Sequence, residues 1–442
     1  MDLNRREFVQ TAAAGASLVL GGQVLAQNAA AGGKITVGLL GTGVQGSRLM
    51  LDCLKIPGVR FVAVCDLWKQ QNLRRAKGRL RAKKQPVNAY TDYREMLAKE
   101  TDMDAVIVAT PDCWHAEHAI ACLEAGKHVY CEKEMSNTLE DAQNMVTAGR
   151  KSPKMFQIGH QRRSNPVYAL AREALQKESI CGRLTYCYGQ WNRGVQDYVA
   201  LPEKRRAKLE IPADVLQKYG YENMEQFLNW RWFRKYSSGP IADLGSHQID
   251  IFSWFLGCDP ERVVAMGSTD YFQREWFEDV LCTYEYKTTQ NGKKGSARAF
   301  YQILNTNSCG HYFERFSGDG GALTISENEK KCYFIPEPGK AVPTWMEGVE
   351  PIVRDGVGNA IPLLPAFAAK GAEAAEAMKQ FAAKSVHQLH LENFFHAVRK
   401  NDKSILTCDP EEAYATAVAV LNVIPAVEAG GGKAFQPGDF KA

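Results

Sequence analysis

Three clusters in this 442-residue chain hold side chains that can move a proton away from a carbon–oxygen bond. The first is Asp243-Leu-Gly-Ser-His247-Gln-Ile-Asp250. Asp243 and His247 stand four apart, so on a helix they share a face, and Asp250 falls on the same side. Leu244 and Ile251 mark a separate, core-facing stripe. The second is Cys131-Glu132-Lys133, at the end of an apolar run. A lysine aimed into a cleft loses its proton when it is desolvated or faces another cation. The third is Thr110-Pro111 with His115, where another apolar run stops. An acid, an imidazole and an amine around one hydroxyl suit proton abstraction coupled to loss of a hydride. Taken singly, each has a plainer reading: a solvated strand-end lysine, a helix-capping Asp243, a satisfied polar His247, a first-turn His115. Their joint occurrence, in this order, favours chemistry.

A departing hydride needs an acceptor, and residues 34–66 describe the binding site of one. An apolar strand runs into Gly41-Thr42-Gly43-Val44-Gln45-Gly46 and opens a helix. A second apolar strand ends at Asp66, 20 positions beyond Gly46. This order is the dinucleotide fingerprint. Gly41 permits the tight turn, Gly43 lets the backbone approach a pyrophosphate, and Gly46 lets helix and strand pack closely. The pyrophosphate then rests on the helix N-terminus, where free N–H groups and the helix dipole favour an anion. Asp66 would accept hydrogen bonds from a ribose diol and repel a 2′-phosphate, so the expected cofactor is NAD rather than NADP. The bland alternative is a glycine-rich turn that binds nothing.

Composition is that of an ordinary globular protein, 45% apolar and 24% charged. A net charge of +4 gives no reason to expect a nucleic-acid partner, and the one basic cluster considered, Lys204, Arg205, Arg206 and Lys208, reads as a solvated face. No segment beyond the N-terminus is apolar for long enough to span a bilayer. Asn4-Arg5-Arg6-Glu7-Phe8, an apolar run to Leu20 and Val24-Leu25-Ala26 have the layout of a twin-arginine signal peptide. Residues 1–32 are therefore expected to be leader and linker, and the protein to be exported to the periplasm or beyond. The 12 cysteines show neither CxxC pairs nor ligand spacing with histidine, so no metal site is expected. Cys53, Cys65, Cys122 and Cys131 read as small buried hydrophobes.

Alternating strand and helix patterns from residue 33 to 158 predict a doubly wound parallel sheet of the Rossmann type. Asp104-Ala-Val-Ile-Val-Ala-Thr110 gives the clearest case, a continuous apolar strand broken by Pro111. The character changes from 159 to 442. Strand-like segments at 182–191, 262–267, 280–286, 297–304, 312–317 and 322–325 predict an α/β domain with a large open, mostly antiparallel sheet. Helices are expected at 242–256, 366–384, 389–400 and 410–429. The loops at 193–238 and 338–365 are longer than ordinary connections.

Taken together, Gly41-Thr-Gly-Val-Gln-Gly46, Thr110-Pro111 with His115, Gly126-Lys-His-Val-Tyr-Cys-Glu-Lys133, Gly159-His-Gln-Arg-Arg163 and the Asp243–Asp250 stretch resemble the Gfo/Idh/MocA oxidoreductases, named for glucose–fructose oxidoreductase and inositol dehydrogenase. The resemblance spans residues 34–428. It implies Lys133, Asp243 and His247 as catalytic residues, and a homo-oligomer, dimer or tetramer, formed through the open sheet. Gly41 to Gly46, Asp66, Thr110, Pro111, His115, Glu132 and Lys133 would hold NAD. Gln161, Arg163, Trp191, Trp230, Trp232, Tyr236 and His247 are candidates to line a carbohydrate pocket, because aromatic faces pack on C–H-rich sugar faces. The expected reaction is NAD-dependent oxidation of a secondary alcohol of a sugar, polyol or glycoside, with His247, oriented by Asp243, taking the hydroxyl proton. Two other readings stand beside it: an NAD-dependent glycosidase working by transient oxidation and elimination, and a non-catalytic sugar-binding protein with a frozen nucleotide. The family usually has proline after the lysine, whereas Glu134 stands here. Its carboxylate would favour the Lys133 ammonium unless it points away.

Overall fold

A run such as Ala105-Val-Ile-Val108 has no polar face to offer water and must be buried on both sides. In the computed structural model, which describes residues 33–290, 292–354 and 356–442, such runs build an all-parallel sheet. Its strands are β1 (Ile35–Leu40), β2 (Val59–Cys65), β3 (Asn88–Tyr90), β4 (Ala105–Val108), β5 (His128–Cys131) and β6 (Phe156–Ile158), in the order β3-β2-β1-β4-β5-β6. Alternate residues feed two cores, with Val37, Leu39 and Ile107 on one face and Leu40, Val106 and Val108 on the other. The strand order reverses between β1 and β4, which leaves a crevice outside their carboxyl ends.

Helices α1 (Val44–Cys53), α2 (Arg74–Ala82), α3 (Tyr93–Lys99), α4 (His115–Glu124) and α5 (Leu139–Lys151) connect these strands. Two of the starts are fixed by side-chain caps: Asp92 accepts from the Arg94 N–H at 3.0 Å and Thr138 from the Asp141 N–H at 3.2 Å. Cys53, Cys65, Cys122 and Cys131 are buried, and all twelve cysteines are free thiols.

Among the described residues the second sheet has ten strands: β7 (Leu184–Asn192), β8 (Pro260–Ser268), β9 (Asp279–Gln290), β10 (Lys293–Leu304), β11 (Tyr312–Gly318), β12 (Gly321–Ile325), β13 (Tyr333–Pro336), β14 (Ile352–Arg354), β15 (Val357–Pro362) and β16 (Gly432–Ala434). They stand in the order β14-β15-β13-β12-β11-β7-β10-β9-β8-β16. Of these strands β7 and β10 pair in parallel and the other neighbours antiparallel, so the sheet is mostly antiparallel. Helices α6 (Pro166–Gln176) and α7 (Ser246–Leu256) pack beside it. Phe252 and Phe255 of α7 meet Phe316 with ring centroids 6.2 and 4.8 Å apart. A Cβ on Gly189 would lie 2.7 Å from the Phe252 ring, so glycine lets the helix close on the sheet.

Some elements depart from the periodicity. Part of the expected loop at 338–365 carries β14 and β15, and the 366–384 segment is two helices separated at Gly371, whose φ is 142°. The last helices do not stay with the second sheet. Helix α8 (Val386–Lys400) returns to the first, burying Leu391, Phe394 and Phe395 in its core. The His390 ring lies 2.9 Å from the Ile158 carbonyl, and Gln157 donates to the His390 carbonyl at 3.0 Å. Helix α9 (Pro410–Leu421) stops at Asn422, and a separate short helix, Val423–Glu428, follows it. Among the described residues no helix is long and apolar enough to cross a membrane. The leader read at residues 1–32 lies outside the described residues.

The turn after β1 is the tightest contact in the first layer. Gly41 has φ 87°, and a Cβ on Gly46 would lie 1.9 Å from the Gly41 carbonyl oxygen. Gly46→Ala is expected to lower stability by about 1–3 kcal/mol through this overlap and to weaken dinucleotide binding, read by urea unfolding and by cofactor titration.

Candidate active site

The crevice beyond β1 and β4 widens into a cleft of about 810 Å³, roofed by segments of the second domain. Its first half is built by the glycine turn. Gly41, Gly43, Val44 and Gln45 line it. A Cβ on Gly43 would meet only Asn72, at 3.8 Å, so space for a ligand is kept where the α1 N-terminus begins. Thr42 turns away instead: its N–H and hydroxyl donate to one Asp66 oxygen at 2.7 and 2.9 Å, while the Trp68 N–H donates to the other at 2.8 Å. Thr42 and Gly46 thus shape the loop without facing the cleft, a correction to their expected contact with the cofactor. Asp66 itself lines the cleft at the end of β2. These features fit a dinucleotide: an open backbone turn at a helix start, with a carboxylate one strand away.

The ends of β4 and β5 are tied together by His115. One ring nitrogen lies 2.8 Å from the Thr110 carbonyl and the other 2.7 Å from the Glu134 carbonyl. Burial lowers its pKa to about 4 against the pull of these two carbonyls, so the neutral ring sits between them and donates to one at a time. Thr110 and Pro111 line the cleft above it. Glu132 accepts from Gln45 at 3.1 Å, linking β5 to the turn.

Lys133 reaches across to the second domain. Its ammonium bonds the backbone carbonyl of Asp243 and lies 3.6 Å from that residue's carboxylate. The other Asp243 oxygen lies 3.2 Å from Arg231 Nε. Burial pushes the Asp243 carboxyl up, but Arg231, Lys133 and Arg193 together outweigh it and hold the group well below the usual carboxylate range. His247 lines the same cleft, one turn on, with its ring stacked on Trp191 at 5.4 Å. Burial, and then the charges of Lys133 and Arg162, lower its pKa well below the ordinary value and keep it neutral.

Several expectations need correction. Asp243 does not orient His247: the π-helical turn Ile241–Gly245 rotates its carboxylate onto Lys133 and Arg231. Asp250 and Arg163 do not face the cleft. They form a buried pair with contacts of 2.7, 3.0 and 3.1 Å, to which Thr416 adds a bond at 2.9 Å. Trp232 packs on Phe272 and beneath Arg274. The Tyr236 hydroxyl lies 2.7 Å from both the Gly220 carbonyl and the Gln226 amide oxygen, in an aromatic cluster beside the cleft. Their neighbours Gln161, Trp191 and Trp230 do line it.

Reading the chain alone missed Asp112, Arg231, Tyr312, Glu327 and His387, all of which line the cleft. Asp112 was legible in principle, since it directly follows Thr110-Pro111. His387 was not, because nothing local shows that α8 returns to this edge. Burial, followed by the nearby Asp243 charge, raises the Asp112 carboxyl to about 7.

Glu134 points inward. The Lys133–Glu134 peptide is cis. One carboxyl oxygen accepts from the Met135 N–H at 2.9 Å, and the other has no partner among the described residues. Burial raises this carboxyl to about 7, so the expected approach of a charged carboxylate to the Lys133 ammonium is replaced by an acid turned into the interior.

Comparison with known proteins agrees with this fold. Residues 35–160 match the GFO_IDH_MocA oxidoreductase family, NAD-binding Rossmann fold, and residues 214–431 match its C-terminal alpha/beta domain. A 4-carboxy-2-hydroxymuconate-6-semialdehyde dehydrogenase of Sphingobium sp. is 34% identical over 263 residues, 59% of this chain and 74% of that one. A 2,7-anhydro-N-acetylneuraminate hydratase of Mediterraneibacter gnavus is 25% identical over 297 residues, 66% and 67% of the two chains. The structure of a levoglucosan dehydrogenase in complex with NADH and levoglucosan superposes with TM-score 0.63 at 18% identity, covering 91% of this chain and 99% of that one, which shows a shared fold. The chain belongs to the GFO_IDH_MocA family of NAD-binding oxidoreductases.

Between about pH 4.5 and 7 the folded protein holds the Glu134 proton while an unfolded glutamate has lost it, so stability falls as pH rises through this window. The difference amounts to roughly 3 kcal/mol. Urea unfolding at pH 5 and pH 8 should show a smaller decline for Glu134→Gln than for the wild type.

Proposed function

We propose that this family member oxidises a secondary alcohol of a sugar, polyol or glycoside with NAD⁺. The observation that carries the reading is convergence: Lys133 from the first sheet and Asp243 and His247 from the second domain face one cleft with the glycine turn. The levoglucosan complex supports a carbohydrate in a fold of this shape.

When bound, NAD⁺ supplies the acceptor for a hydride. The protein's part is to hold the alcohol and take its proton. With Asp243 committed to Lys133, the acid–base group beside the substrate is Lys133 rather than His247. Asp243 fixes the amine, and three cations offset the cost of burying its carboxylate. His247, neutral and stacked on Trp191, hydrogen-bonds the hydroxyl and orients its C–H bond. Trp191, Trp230 and Tyr312 offer the flat apolar walls that sugar faces pack against. Glu134, turned into the interior, leaves Lys133 in the cleft, which supports catalysis over a purely binding role.

A second reading shares the first step. Oxidation at one ring carbon acidifies a neighbouring C–H and permits elimination of a leaving group. The hydratase relative, named for 2,7-anhydro-N-acetylneuraminate, favours keeping it. We further propose export through the twin-arginine leader and assembly as a homo-oligomer. An exported enzyme without a free NAD pool must retain its cofactor through each cycle.

Two measurements test the reading. Denaturing the purified protein should release NAD, identified by mass. With sugars and glycosides offered, keto-sugar with absorbance change supports oxidation, and free aglycone without net redox supports elimination. Lys133→Ala and His247→Ala should each lower kcat by about 10²–10⁴ while NAD affinity stays within a few-fold. Equal turnover in either variant would remove that residue from the mechanism.

A further inference from the structure

The connection from β7 to the π-helical turn is far longer than an ordinary loop, and it is folded rather than loose. Short helices at Arg206–Leu209, Ala213–Lys218 and Met224–Leu228 punctuate it. Buried Asn229 ties its base: the amide oxygen accepts from the Val199 N–H at 2.7 Å, and the amide nitrogen donates to the Val199 carbonyl at 3.0 Å. Within it Leu209, Ile211, Leu216, Tyr221 and Met224 pack around Trp68 in a small core separate from those of the two sheets. Residues 199–229 are therefore a closed flap with an apolar interior of its own.

The seats of this flap on the first domain follow the carboxyl ends of the strands. Beyond β2, the Trp68 indole N–H donates to the Leu209 carbonyl at 2.6 Å, and its ring meets Phe227 edge-on with centroids 5.8 Å apart. Beyond β3, the Tyr219 hydroxyl donates to the Thr91 carbonyl at 3.0 Å, and Lys218 lies 3.4 Å from Asp92. Beyond β4, Trp114 meets Tyr219 edge-on at 6.2 Å. A dinucleotide fold sets the adenosine ribose on the acid after β2. That acid, Asp66, accepts from the backbone N–H of the same Trp68 that carries the flap. Leu201, Leu209, Tyr221 and Phe227 line the cleft and offer apolar surface to a purine. Arg205, read from the sequence as part of a solvated face, lines it too and brings a cation to a cleft that must hold a pyrophosphate.

We infer that residues 199–229 form the outer wall of the adenosine site and hold NAD as a resident group that leaves only when this flap lifts. The inference rests on the family's NAD binding and not on which alcohol is oxidised. It supplies a physical means for the cofactor retention proposed above. Lifting the flap breaks the Trp68–Leu209 and Tyr219–Thr91 hydrogen bonds and uncovers the apolar faces around Trp68 in one movement, so release of the cofactor is gated by all of these contacts together.

The test is release of NADH from the loaded full-length protein, followed by fluorescence after mixing with excess NAD⁺. Trp68→Phe removes the indole donor, and Asn229→Ala opens the base of the flap without touching the cleft lining. Each should speed release about tenfold or more. Flap opening is read separately by trypsin cleavage at Lys204, Arg205, Arg206 or Lys208. Cleavage should be slow in the loaded wild type, several-fold faster in protein stripped of cofactor, and faster in both variants. Release unchanged within twofold in a variant whose flap is cut faster would overturn the wall. So would a wild type that loses NADH within the mixing time, or a flap cut equally fast with and without NAD. Variants unchanged in both readouts would show that these contacts do not seat the flap and would overturn it equally. No outcome here turns on carbohydrate turnover: a protein that retains NAD and oxidises no sugar loses the oxidation reading and keeps the flap.

Discussion

The ion set of Lys133, Asp243 and Arg231 is the interaction on which the site depends. Lys133 ends a strand of the first sheet, whereas Asp243 and Arg231 belong to the second domain. Moving such charges out of water costs several kcal/mol per ion, and only close partners offset it. The first domain supplies only the amine; the carboxylate and its two arginines come from the second. The ammonium needs the Asp243 carboxylate and carbonyl, and the carboxylate needs Lys133, Arg231 and Arg193. The ion set thus links residues of both domains that line the cleft. Without Lys133 the Asp243 carboxylate would still face Arg231 and Arg193.

Around this set the imidazoles behave alike. Burial lowers the pKa of His115 and His160 to about 4 and of His118 and His390 to about 3, and it also holds His247 well below its ordinary value. A wall of neutral rings adds no positive charge to a region already holding Lys133, Arg162, Arg163 and Arg231. It also makes the rings useful as braces. His115 joins the ends of β4 and β5, and His390 joins α8 to β6. Thr110, Glu134 and the end of β6 therefore lie against rings that stay neutral at ordinary pH.

The parts that were legible in the amino-acid order are those dictated by local physics. Apolar runs, the Gly41–Gly46 turn and the acid after β2 report backbone geometry, and geometry of that kind is encoded within a few residues. The β8–β12 strands likewise followed from a run of short strand-like segments. Side-chain direction at the site was less legible. Gln161 lines the cleft while Arg163, two residues on in the same short 3-10 turn, is buried against Asp250. Trp230 and Trp232 divide in the same way. A single turn of helix rotates neighbours by about a third of a circle per residue, so an aromatic or arginine in such a segment is as readily committed to the core as to a ligand.

The case of Asp243 shows the same limit acting on chemistry. A spacing of four places two side chains on one face only if the helix is regular. The π-helical turn at Ile241–Gly245 immediately precedes α7, so Asp243 and His247 belong to different windings. Extra residues per turn at a functional site change which groups meet. Here the change separates the acid from the imidazole and delivers it to the amine. The identities Lys133, Asp243 and His247 would be compatible with either pairing; the winding chooses between them.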